Sequence, residues 1–314
     1  MKPAARCPLW VILVLTVLIG SLVVDPLAEA AGNQGKNRKA RKSAESWQLA
    51  FSDEFNGSSL DEQTWTSAYP WGRSRKSVGE EQWYAPDAFK VANGKLQISA
   101  RRTPGAVHNG EEFDYSSGLI SSHKSFTTQY GRFEIRCKMP QGQGLWPAFW
   151  LLPITEEWPP EIDVFEALGH EPDVVHMHAH WQENGKHRDS GETFQGPDFT
   201  KDFHTFAVEW SPEKIVWFVD GVKRHELAGK SPKEPMYLLA NMAVGGDYPG
   251  SPDASTPFPA SFDIDYIRVY ESTSAPTLEK GDPDKKKHKD NKKNKRKKQK
   301  RKRNRRVGAA RRPR

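Results

Sequence analysis

Residues 146–169 read WPAFWLLPITEEWPPEIDVFEALG, and the acids within them decide how the chain is read. Side chains alternate between the two faces of an extended strand. Glu161 and Asp163 therefore share one face, and Ile162 and Val164 share the other. Glu166 has the wrong parity and would point away from a regular strand. One extra residue around Val164–Phe165, a β-bulge, returns it to the side of the other two acids. Carboxylates this close repel, so one of them should keep its proton to higher pH.

The surroundings of this stretch are strand-like throughout. From Trp47 to Tyr270 short alternating apolar runs are broken by Gly, Pro, Asn and Asp. Asn93-Gly94 and Asp220-Gly221 are hairpin turn signals. No long run follows the 3.6-residue period of a helix, and no internal repeat is present. Twelve or more strands in one domain predict an all-β fold, a sandwich of two antiparallel sheets with a substrate cleft on one of them.

The chain has 314 residues, and 11 of them are Trp. Its beginning reads as a signal peptide over residues 1–30. Lys2 and Arg6 are basic, Leu9–Val24 is mostly apolar, and Ala28-Glu29-Ala30 has the small-x-small form of a cleavage site. This places the mature protein outside the cytoplasm: secreted, periplasmic or at the cell surface. Cys7 leaves with the signal, so Cys137 is the sole remaining thiol and no internal disulfide can form. Residues 31–46 are polar and basic and read as a flexible linker to a folded domain at 47–272.

The net charge of +7 conceals a division. Residues 281–314 carry 19 Lys/Arg against 3 Asp, whereas residues 46–280 carry 21 Lys/Arg against 34 Asp/Glu. The domain is acidic, and residues 273–314 are a basic tail without a folding pattern. Such a tail suits contact with an anionic polysaccharide or cell envelope. It has no aromatic residue for base stacking, which argues against specific nucleic-acid recognition. The chain reads as a monomer.

Two carboxyls about 5 Å apart, one attacking an anomeric carbon and one protonating the leaving oxygen, perform retaining glycoside cleavage. Glu161 and Glu166 suit that pair once the bulge joins them, with Asp163 between them. Trp146, Trp150 and Trp158 crowd the same stretch and suit a sugar cleft better than a solvated face. His176, His178 and His180 alternate on one strand face. They could bind a metal or contact sugar, and sugar contact is preferred for His180 because the acids already account for catalysis. Arg73, Arg75 and Lys76 lie on a loop that could reach the cleft.

The motif Glu161-Ile-Asp-Val-Phe-Glu166 resembles the ExDxxE signature of glycoside hydrolase family 16 in its bulged, laminarinase-like form. The resemblance extends through Phe51–Gly57, Gly79–Tyr84, Gly131–Arg136, Gly144–Pro153, Trp210–Ile215, Trp217–Gly221, Asn241–Gly246 and Asp263–Tyr270. It implies a concanavalin A-like β-jelly roll. It also implies Glu161 as nucleophile, Asp163 as assisting acid and Glu166 as acid/base. Trp150 and Trp158 match sugar-stacking positions, and Trp146 is a further candidate. His180, Glu81 and Asn241 match positions that meet sugar hydroxyls. No cofactor is required for catalysis. A structural Ca2+ would fall to Glu54, the carbonyl of Gly94, and Asp265. The implied activity is endo-hydrolysis of a polysaccharide, β-1,3-glucan first. Mixed-linkage glucan, agarose, porphyran and carrageenan are alternatives, as is a non-catalytic glucan-recognition module.

Overall fold

The computed structural model describes residues 46–273. The expected signal peptide, the expected linker apart from Ser46 and the expected basic tail apart from Thr273 lie outside the described residues. Sixteen strands form: β1 (Trp47–Asp53), β2 (Gln82–Tyr84), β3 (Phe89–Val91), β4 (Leu96–His108), β5 (Glu111–Ser117), β6 (Leu119–Ser121), β7 (Gly131–Lys138) and β8 (Leu145–Pro153) in the first half. They continue with β9 (Glu161–Glu166), β10 (Val174–Glu183), β11 (Lys186–Gln195), β12 (His204–Trp210), β13 (Lys214–Val219), β14 (Val222–Ala228), β15 (Met236–Val244) and β16 (Ala260–Ser272). The helical element among the described residues is a single 3-10 turn at Lys76–Val78.

The strands make two sheets. One has ten strands, in the order β14-β13-β12-β7-β16-β4-β5-β2, with β1 on β16 and β3 on β4. The other has six, in the order β11-β10-β9-β8-β15-β6. Pairing is antiparallel except between β2 and β5, which run parallel. Both predicted hairpin turns form: Asn93-Gly94 and Asp220-Gly221 each place two successive residues at positive φ. That is the twist a two-residue hairpin needs.

Strand β7 shows why the sandwich closes. Phe133, Ile135 and Cys137 point into the core, while Arg132, Glu134, Arg136 and Lys138 point outward. Strands β8 and β15 are buried on both sides. Phe149, Leu151, Leu238, Ala240 and Met242 face the ten-stranded sheet. On the opposite face Trp150, Leu152, Tyr237 and Leu239 pack with Tyr69 and Tyr84. An uninterrupted apolar run is what a strand covered on both faces requires. The loop before β2 thus roofs one half of the six-stranded sheet and leaves the β9–β10 half open as a cleft.

Four strands lack a long alternating apolar run: β2, β5, β11 and β14. The last two are the outer strands of their sheets and are largely exposed and charged. Charged edge strands guard against edge-to-edge association, so their sequences do not alternate.

Candidate active site

Strand β9 carries the bulge. On β8, Ala148 pairs with Glu166 and Trp150 with Asp163, so two residues there span three on β9. On β10 the same step occurs, with His176 opposite Glu166 and His178 opposite Asp163. Val164 and Phe165 both enter the core as a result, and Phe165 lies against Phe206 with ring centroids 4.7 Å apart. Glu161, Asp163 and Glu166 all line the cleft. The mismatch in parity thus corresponds to a bulge at the expected place.

Each acid meets an aromatic nitrogen. Trp158 donates its indole N–H to Glu161 Oε2 at 2.5 Å. Trp146 donates to Glu166 Oε1 at 3.1 Å. His180 Nε2 lies 3.2 Å from Asp163 Oδ2, and His178 Nδ1 lies 3.7 Å from Glu166 Oε2. Burial pushes the Glu161 carboxyl well above its usual range, and the neighbouring Asp163 adds to this, against His180 and Arg75. Asp163 is pushed well up by burial and then by Glu166, while hydrogen bonding with Glu161 and the charge of Arg75 act the other way. The Glu161–Asp163 pair therefore holds a proton more tightly than free carboxyls do.

The other predicted residues divide. Trp158 is 53% exposed and open to a ligand. Trp150 and Asn241 reach the cleft wall but are each only 4% exposed. Trp150 spends its N–H on Asn241 Oδ1 at 2.8 Å, and Asn241 donates to the Tyr84 hydroxyl at 3.0 Å. They brace the cleft floor. Glu81 packs against Gly245: its carboxyl lies 2.6 Å from where a Cβ on Gly245 would stand. Its neighbour Glu80 lines the cleft and accepts from Gln82 at 2.7 Å.

Of the three loop cations, only Arg75 enters the cleft, 5.6 Å from the Trp150 ring. Arg73 ties the loop down by donating to the carbonyls of Ser67 and Tyr84. Lys76 turns to the Glu112 carbonyl. Sequence reasoning missed Trp71, which stacks on Tyr69 at 4.7 Å and 10° and borders the cleft beside Trp158. It also missed Tyr248, edge-on to Trp146 and His176. Both lie in segments without a strand period, so nothing set their direction.

The proposed calcium ligands do not form a ready cage. Glu54 receives two hydrogen bonds from Arg268, at 2.7 and 2.8 Å. Asp265 is paired with Arg136. Both carboxylates are already neutralised by guanidinium groups, and the Gly94 hairpin faces Asn56.

A two-sheet β-sandwich with three acids on a bulged strand, flanked by indoles in an open cleft, places the chain in the jelly-roll class. The family model for glycosyl hydrolases family 16 matches residues 77–268, and the chain belongs to that family. It is 38% identical over 241 residues to an endo-1,3-1,4-beta-glycanase, ExsH, of Rhizobium meliloti, covering 70% of this chain and 51% of that protein. It is 36% identical over 258 residues to a beta-glucanase of Rhodothermus marinus, covering 71% of this chain and 85% of that one. The catalytic domain of an endo-1,3-beta-glucanase (laminarinase) from Thermotoga petrophila superposes with a TM-score of 0.67 at 34% identity, over 73% of this chain and all of that one. The chain spans about half the length of the Rhizobium meliloti relatives it matches.

Proposed function

We propose that this protein is an exported, retaining endo-β-glucanase that cuts β-1,3-glucan. The observation that carries the reading is the bulge, which sets Glu161 and Glu166 on one face with Asp163 between them. In the first step a Glu161 oxygen attacks the anomeric carbon. The glycosidic C–O bond breaks, and Glu166 gives its proton to the leaving oxygen. In the second step water attacks the same carbon, Glu166 takes its proton, and Glu161 is released. The proton shared by Glu161 and Asp163 leaves Glu161 charged when it sits on Asp163. Trp158 fixes the attacking carboxylate from the other side.

β-1,3-Glucan is favoured by the beta-glucanase and laminarinase named above. The ExsH relative, an endo-1,3-1,4-beta-glycanase, makes mixed-linkage glucan the second reading. A sulfated galactan would need free cations in the cleft. Arg75 is the cation there, and its charge is met by Glu80 and Glu161. Export is supported by the basic start, the apolar Leu9–Val24 and the small-x-small site before Ala31. The basic tail suits retention on an anionic glycan or envelope.

The test is a reducing-end assay on laminarin, mixed-linkage glucan, agarose and carrageenan, with NMR following the first-formed anomer. Release of β-anomer from laminarin by wild type is expected, with a loss on the order of 10⁴-fold in Glu161→Gln. A Glu161→Gln variant as fast as wild type, or first-formed α-anomer, overturns the mechanism. No release from any of the polysaccharides returns the non-catalytic binding module.

A further inference from the structure

The β10–β11 hairpin brings two imidazoles together beside the acids. His180 Nδ1 lies 3.1 Å from His187 Nε2, and the rings are 5.3 Å apart at 23°. In the strand register Asp189 stands directly opposite His180, and His187 is paired with Gln182, one diagonal step away. Asp189 therefore shares the face of His180, at the short cross-strand spacing of an antiparallel pair. Trp158 closes over both rings, 4.6 Å from His187 and 5.9 Å from His180. His187 itself is exposed to solvent.

Two imidazole nitrogens bound to one ion at about 2.0–2.1 Å each stand roughly 3 Å apart. The observed separation already has that bite. Imidazole suits Zn2+, Ni2+ and above all Cu2+ among divalent ions. The two nitrogens share one proton as they stand, and a cation can take its place. The open side at His187 leaves the other coordination positions to water. The remaining row differs. His176 is engaged with Thr193 and Glu171, and His178 faces Glu166, so neither shares a ligand pocket with this pair.

We propose that His180 and His187 form a bidentate site for a divalent transition metal, Cu2+ foremost, and that filling it stops glycan cleavage. His180 is the link to the acids, because its other nitrogen faces Asp163 at 3.2 Å. A metal on Nδ1 makes Nε2–H the donor toward Asp163 and adds positive charge there. The ion and its waters also occupy the space beneath Trp158, where a sugar ring would lie. The inhibition rests on the glucanase reading; the binding does not.

The test uses the full chain with copper sulfate, in calorimetry and in electron paramagnetic resonance. Wild type should bind one Cu2+ tightly with two nitrogen couplings. His187→Ala should lose affinity by about 10-fold or more, with one nitrogen coupling gone. Each protein's laminarin cleavage is then compared with its own metal-free rate. Copper should inhibit wild type, reversibly with EDTA, at concentrations at least 10-fold below those needed for His187→Ala. Equal copper affinity in wild type and His187→Ala overturns the site. It would place any ion instead among Glu161, Asp163 and His180, whose ligand atoms lie within 4.8 Å of one another. Copper bound as described by a chain that cleaves no glucan leaves the site standing and removes the glucanase reading. Cleavage without the copper site does the reverse.

Discussion

Trp217 donates its indole N–H across the sandwich to the main-chain carbonyl of Asp163 at 2.8 Å. Trp217 belongs to β13 of the ten-stranded sheet and is wholly buried. A bulge frees main-chain groups from the ladder, and a buried carbonyl without a partner is costly. The opposing sheet thus supplies the donor at the point where β9 departs from regular pairing. The core residue and the acid-bearing strand are one device.

Trp217→Phe keeps the ring in the core but leaves that carbonyl unpaired. It should cost about 1–3 kcal/mol in urea unfolding and lower kcat by about 10-fold, because the acids lose their fixed spacing. Equal kcat with lowered stability would show that the bulge holds without the bond.

The raised Asp163 carboxyl sets a pH dependence opposite to that of a salt-bridged acid. A group that binds its proton more tightly when folded stabilises the fold at low pH. That contribution is lost as pH rises from the unfolded value near 4 through the raised folded one. Asp163→Asn removes the buried charge. The variant should melt higher than wild type near pH 8, with the gain shrinking toward pH 4, while kcat falls by about 10²-fold. Melting curves across pH check the first part. A variant that melts lower at high pH would mean that Asp163 is ionised and paired in the native protein.

These sites differ in how far the sequence reveals them. The three acids and the bulge follow from parity alone, because Ile162 and Val164 leave no doubt which face is the core. Strands β11 and β14 do not, since edge strands are stabilised by main-chain pairing and carry charge where core strands carry apolar groups. Glu80 and Glu81 cannot be told apart in sequence: Gly79–Glu81 precede β2 with no alternation to set the phase. The three loop cations present the same difficulty. That Trp150 is buried and bonded to Asn241 depends on the roof formed by Tyr69 and Tyr84, a long-range contact without a local signal.

Trp158 has two roles that substitution can separate. Its ring is exposed in the cleft, and its N–H holds Glu161. Trp158→Phe retains a ring and loses the donor, so kcat should fall by about 10-fold with KM nearly unchanged. Trp158→Ala loses both, and KM should rise as well, by about 5- to 150-fold for a lost stacking contact of 1–3 kcal/mol. Equal KM in the two variants would remove Trp158 from sugar binding.

The ion pairs at Glu54 and Asp265 make a prediction about calcium. Arg268 holds the Glu54 carboxyl below its ordinary range, chiefly through their hydrogen bonds. A carboxylate so engaged must give up its guanidinium before it can join a Ca2+ shell of six to eight oxygens. EDTA and added calcium should therefore leave the melting temperature of wild type unchanged. Arg268→Ala frees Glu54 for a hard cation, and calcium should then raise the melting temperature of that variant by ligand linkage. A calcium-dependent rise in wild type would show that the carboxylates leave their arginines for the ion, and that Arg136 and Arg268 are counter-charges only in its absence.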